Sequence, residues 1–109
     1  MEWLELNEIK DQLRIEYDYH DEDKYLTSLG EVAEETVLGY VDYTYDELVD
    51  KYGKFPKRAR QASLELVDLW YQRRSPGDSQ NMSSVPYGNI DVLLRPLMRL
   101  AIRPQNDNS

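Results

Sequence analysis

Cysteine is absent from this chain and histidine occurs once, at His20. Without cysteine there is no disulfide and no thiolate-held zinc or iron–sulfur centre. A Ser-His-Asp or Cys-His arrangement would have to recruit His20, which sits among tyrosines and acids and reads as a surface residue. The five glycines are scattered and none precedes a Lys-Ser or Lys-Thr pair, so no phosphate-cradling loop is present. Asp18, Asp21, Glu22 and Asp23 are crowded acids. They lack the alternating ligands, central glycine and terminal glutamate of a calcium loop. No pair of carboxylates is singled out for glycoside chemistry. Catalysis, cofactors and metals are therefore not expected. No apolar run approaches the roughly 20 residues that span a bilayer. Met1-Glu2-Trp3-Leu4-Glu5 has no basic region followed by an apolar stretch, so no secretory signal is expected there and the cytoplasm is the expected compartment of synthesis.

The sequence has 109 residues, 40% of them hydrophobic and 31% charged. That is enough for one small domain, but such a domain leaves much of its surface in water unless it finds a partner. Net charge is −8, unevenly distributed. Residues 1–53 carry 16 acids and 4 bases, giving −12, while residues 54–109 carry 5 acids and 9 bases, giving +4. An acidic half disfavours non-specific DNA binding. Regions of opposite sign can attract copies of the chain head to tail.

Helical spacing dominates. Leu6, Ile9 and Leu13 predict a short first helix beginning near Glu5 or Asn7. A link over 14–20 follows. Leu26, Leu29, Ala33, Val37, Tyr40 and Val41, with Thr36 and Thr44 on the same side, predict a second helix over 21–43. Glu31, Glu34 and Glu35 fall off that stripe and should face water or a partner. Gly30 and Gly39 lower helix propensity and either permit close packing or are merely tolerated. Residues 46–53 read as a short helical segment closed by Gly53. Pro56 opens a broad-faced and hence central helix over 57–74, built on Ala59, Ala62, Leu66, Leu69 and Trp70. Residues 75–88 are rich in turn formers and predict a long loop. A last short helix spans 89–94. Arg95, Arg99 and Arg103 recur at every fourth position of a tail that is extended or helical. The expected fold is all-α: a bundle of about four helices with a long loop before the last one, the domain ending at 97 and a tail covering 98–109.

Seven of the nine tyrosines lie in residues 1–53, more than so small a core needs. Tyrosine is enriched at interfaces. The basic cluster Lys54, Lys57, Arg58 and Arg60 could touch nucleic acid, but the acidic first half favours ion pairs to a neighbouring subunit.

Three stretches, in order, resemble the phage head–tail connector (portal adaptor, head-completion) family. They are Leu6-Asn7-Glu8-Ile9-Lys10-Asp11-Gln12-Leu13-Arg14-Ile15 with the acids at 21–23 and Leu26, then Pro56 to Arg74, then Val85-Pro86-Tyr87-Gly88 leading through Asn89 to Pro96. The resemblance implies a structural subunit of a ring of about twelve copies. That ring would stack beneath the portal, continue the DNA channel without reading sequence, and carry the next tail-side protein. Its site would be the host cytoplasm and then the virion. Glu31, Glu34 and Glu35 are then candidates to meet Arg58, Arg73 or Arg74 of a neighbour. Asp78, Met82, Tyr87, Arg95, Arg99 and Arg103 are candidates for docking the portal or tail. The competing reading is a small acidic adaptor or regulator, a nucleic-acid mimic or antitoxin-like protein. It accounts for the charge but not for the succession of stretches.

Overall fold

A computed structural model describes residues 1–73 and 88–99. The expected all-α class is what the chain adopts, with no strand among the described residues. Among the described residues five α-helices follow one another: α1 (Leu6–Leu13), α2 (Asp23–Val41), α3 (Tyr45–Tyr52), α4 (Lys57–Gln72) and α5 (Gly88–Leu94). A 3-10 turn, Arg95–Leu97, comes directly after α5.

The helix ends explain where the expected boundaries shift. Glu5 caps α1 and forms a reciprocal capping box with Glu8, which fixes the start that spacing alone left between two residues. α2 stops at Val41 because Asp42 turns left-handed, with φ 64. Aspartate tolerates that conformation better than most residues. Thr44, expected on the second helix, is instead the N-cap of α3: its hydroxyl accepts from the Glu47 amide while the Glu47 carboxylate accepts from the Thr44 amide. Gly53, at φ 80, closes α3 as expected. Pro56 stands just before the first residue of α4.

α4 is central, packing on α1, α2 and α5. Its Ala59, Ala62, Leu66 and Val67 meet Leu26, Ala33, Val37 and Val41 of α2 in a core completed by Ile9, Leu48, Ile90, Leu94 and Leu97. Ahead of α1, Trp3 and Leu4 are buried in the same core. The Trp3 indole stacks on Phe55 at 4.2 Å between ring centres and donates through Nε1 to the Ser63 hydroxyl at 3.0 Å. Tyr45 stacks against both rings, 6.0 Å from Trp3 and 5.3 Å from Phe55 between ring centres. The two helical glycines have different roles. A Cβ on Gly30 would lie 2.3 Å from the Met1 sulfur and 2.9 Å from Ile9 Cδ1, so Gly30 permits close approach. A Cβ on Gly39 would meet nothing within 4 Å.

Candidate assembly surfaces

α2 carries the three glutamates singled out by the sequence, and the structure separates them. Glu31 and Glu35 are exposed. Glu34 is 4% exposed, contrary to the expectation that it faces water or a partner. Its Oε1 accepts from the Glu2 amide at 2.7 Å, and its Oε2 accepts from the amides of Trp3 and Leu4 at 2.9 and 2.8 Å. The reason is geometric. The segment ahead of α1 crosses α2 over Gly30, and Glu34 lies one turn further along the same face. The segment offers three amides with no partner in a helix or sheet, and one carboxylate satisfies them all.

Lys10 was not singled out by sequence. It is 1% exposed. Its ammonium donates to the carbonyls of Tyr17 and Tyr19 at 3.1 and 2.7 Å and pairs with Asp23 at 2.8 Å. The link between α1 and α2 is thus folded around one buried cation. The Lys10 ammonium beside Asp23, followed by its bond from His20, holds the Asp23 carboxyl below its ordinary value. His20 itself is largely exposed. The crowded acids at 21–23 therefore start α2 and anchor the link.

The bases of the second half do not form one free pole. Arg60 is committed within the chain, its Nη1 donating to the Trp3 carbonyl and to the Glu8 carboxylate at 2.8 Å. Arg99 donates through Nε to the Asp42 carbonyl at 2.8 Å, pairs with Glu47 at 3.2 Å and lies over the Tyr43 ring at 4.2 Å. Its own amide donates to the Val41 carbonyl, so Arg99 seals the α2–α3 corner. Arg95 pairs with Asp91 at 2.6 Å, one turn back on the same helix end. The Asp91 carboxylate also accepts from the Tyr40 hydroxyl of α2. Arg58 and Arg73 stand at opposite ends of α4, about 22 Å apart along its axis, so no single patch contains both. Asp78, Met82, Tyr87, Arg74 and Arg103 lie outside the described residues.

Among the described residues, two groups of like charge stand open, the members of each close together on the surface. On α2, Lys24, Tyr25, Ser28, Glu31, Val32, Glu35, Thr36, Gly39 and Tyr40 are exposed. Their spacing of one, three and four residues places them on one continuous face. Among the described residues, Glu31 and Glu35 make no ion pair or hydrogen bond through their carboxylates. Like charges four apart destabilise a helix by about 0.2–0.5 kcal/mol. Beside them runs a shallow groove lined by Met1, Glu2, Glu31, Glu34, Glu35 and Leu38. At the α3–α4 corner, Lys54, Lys57 and Arg58 are exposed. Of these only Arg58 has a described partner, a long 3.4 Å bond to the Val92 carbonyl. Val92, on α5, is 66% exposed, and Val32, on α2, is 50% exposed.

Among the described residues, several tyrosines and the valines Val32 and Val92 are exposed. The sequence profile described as phage gp6-like head-tail connector protein matches residues 4–91. The chain belongs to that family of phage head–tail connectors. The matched region takes in α1 to α4 and the first half of α5. It therefore includes both open charge sets, while Arg95 and Arg99 fall beyond it. No curated protein and no solved structure matches the chain. The family's role is structural, joining phage head to phage tail, and among the described residues no helix is long and apolar enough to cross a membrane.

Proposed function

We propose that this connector is the repeating subunit of a ring, of about twelve copies, that stacks beneath the portal of a phage or prophage particle. The ring continues the DNA channel and presents a platform for the next tail-side protein. It assembles in the host cytoplasm and remains at the head–tail junction of the virion. The observation that carries this reading is the family match over residues 4–91. The unpaired acids of α2 and unpaired bases of the α3–α4 corner support it, because a heterologous contact between unlike patches is what closes a ring.

The electrostatics favour a conduit over a DNA-binding protein. Affinity for a duplex depends on clustered bases that displace counterions. Here Arg60, Arg95 and Arg99 are each engaged with acids of the same chain. A net charge of −8 lets DNA pass without being held. Arg95, at the rim beyond α5, remains a portal- or tail-docking candidate, since its side chain is 72% exposed despite its pair with Asp91. Asp78, Met82, Tyr87 and Arg103 are proposed for the same docking role from the sequence alone.

The test is co-expression with the portal protein of the same phage, followed by mass measurement of the purified complex. A complex containing many copies of this chain per portal ring is expected. A chain that stays monomeric and does not bind portal protein would overturn the proposal.

A further inference from the structure

The family assignment does not say which surfaces of one subunit meet the next. Two observations point to the same pair. First, Glu31 and Glu35 sit four residues apart on the outer face of α2 and, among the described residues, no base neutralises them. Three arginines of the second half are instead drawn into pairs within the chain, Arg60 to Glu8, Arg95 to Asp91 and Arg99 to Glu47. Second, Lys54, Lys57 and Arg58 gather three cations in five residues of the α3–α4 corner, and no described carboxylate reaches any of them. Lys57 and Arg58 also occupy the first turn of α4, where the helix dipole disfavours cations. Each set is thus at odds with its own helix and would be relieved by the other.

We infer that these two surfaces are the subunit–subunit contact: the α2 face bearing Glu31 and Glu35 receives the α3–α4 corner bearing Lys54, Lys57 and Arg58 of a second copy. The inference rests on the connector reading and specifies its interface. Val32, exposed between the two glutamates, supplies an apolar centre, and Tyr40 extends the same face two turns further. A polar rim around such a centre is the usual anatomy of an interface. The contact is heterologous, because the patches lie on different elements, and so it propagates from copy to copy until it closes. Arg73, an earlier candidate, stands at the other end of α4 and is not part of it.

Zero-length carbodiimide coupling tests the contact on the native chain, since it joins a carboxylate to an amine only where the two touch. An equal mixture of 14N- and 15N-labelled chains, with portal protein present, separates contacts between copies from those within one. Mixed-isotope peptides linking Glu31 or Glu35 to Lys54 or Lys57 are expected. In parallel, Glu31→Lys with Glu35→Lys, or Lys54→Glu with Lys57→Glu and Arg58→Glu, should each weaken assembly about tenfold or more. All five changes together in one chain should restore it. Assembly that proceeds with couplings only at other positions, or that ignores both reversals, overturns this interface while leaving the connector reading intact. No assembly in any form, with or without portal protein, overturns both.

Discussion

Replacing Glu34 with alanine isolates the unusual role of one glutamate among three on the same helix. The wild-type carboxylate accepts three backbone amides between 2.7 and 2.9 Å, in a site only 4% exposed. Hydrogen bonds to a charged group contribute about 1.5–3 kcal/mol each, so the gross loss is roughly 5–9 kcal/mol. Against that stands the cost of holding a carboxylate away from water, several kcal/mol, which the variant no longer incurs. The segment can also lift away and rehydrate its amides, giving up burial of Trp3 and Leu4 but recovering chain entropy of about 1–2 kcal/mol per residue. The net expectation is a destabilisation of about 3 kcal/mol. In a chain near 100 residues, each kcal/mol moves the melting midpoint by about 4–8 °C, so a fall above ten degrees should be seen. Urea unfolding followed by tryptophan fluorescence measures the free energy. Amide exchange at Glu2, Trp3 and Leu4 reports whether the segment has detached. Glu31→Ala and Glu35→Ala are the controls, expected within about 0.5 kcal/mol of wild type because their carboxylates touch nothing described in the chain. If Glu34→Ala behaves like these controls, and protection of the three amides is unchanged, the carboxylate is not what holds the segment.

Other substitutions probe the remaining features. Gly39→Ala should stabilise by about 0.5–1 kcal/mol in the isolated chain, since the added methyl meets nothing within 4 Å; a thermal melt decides it. Gly30→Ala should destabilise by about 1–3 kcal/mol, because its methyl collides with Ile9 as well as with the more yielding Met1 side chain. Lys10→Met should loosen the α1–α2 link, visible as faster amide exchange over 16–23, as the carbonyls of Tyr17 and Tyr19 lose their donor. The Asp23 carboxyl is held below its ordinary value of 3.8. Its contribution to stability is therefore complete above that value and is lost as pH falls through the lower, folded value. Asp23→Asn should accordingly narrow the stability difference from wild type as the solution is acidified, in urea titrations from neutral pH downward; a difference independent of pH would contradict the Lys10 pairing.

The helices were legible because their cores obey a simple spacing, and the residues that deceived did so for physical reasons. Leu26, Ala33, Val37 and Val41 mark the buried face of α2 by period alone, and all four are buried. Glu34 was read as exposed because burial of a carboxylate is rare unless it is partnered. Its partners are backbone amides, which leave no signature in the sequence. A hint was available: Gly30 and Glu34 share a face, and Trp3-Leu4 is an apolar pair with no helix of its own to pack in. Lys10 had a clearer signal. It lies four residues after Leu6 and three before Leu13, on the apolar face of α1, and its ammonium is capped by carbonyls of the following link. The start of α3 could also have been read, since Thr44 and Glu47 have the spacing of a capping box. The candidate interface was only half legible. Glu31, Glu35 and the basic cluster Lys54, Lys57, Arg58 and Arg60 stand out by charge, but that Arg60 leaves this cluster to bind Trp3 and Glu8 depends on the fold.

That division of charges also changes what the asymmetry between the two halves of the chain means. Counted along the sequence, −12 and +4 describe two poles. In the folded chain, Glu8–Arg60, Glu47–Arg99 and Asp42–Arg99 tie the halves to each other, so much of the contrast is used in holding the fold. Exposed pairs of this kind contribute about 0–1 kcal/mol each, and their larger effect is on what they leave behind. They commit two arginines, Arg60 and Arg99, within the chain, and so leave the free positive charge of the described C-terminal half largely at the α3–α4 corner. A salt series should expose the difference. Raising ionic strength shortens the screening length from about 10 Å at 0.1 M to about 3 Å at 1 M. Chain stability, anchored by the buried Lys10 and Glu34, should change little over that range, whereas association through the open charges should weaken steeply. If melting temperature and assembly fall together with salt, the fold and the contact between copies draw on the same charges, and the separation argued from Glu34 against Glu31 and Glu35 is wrong.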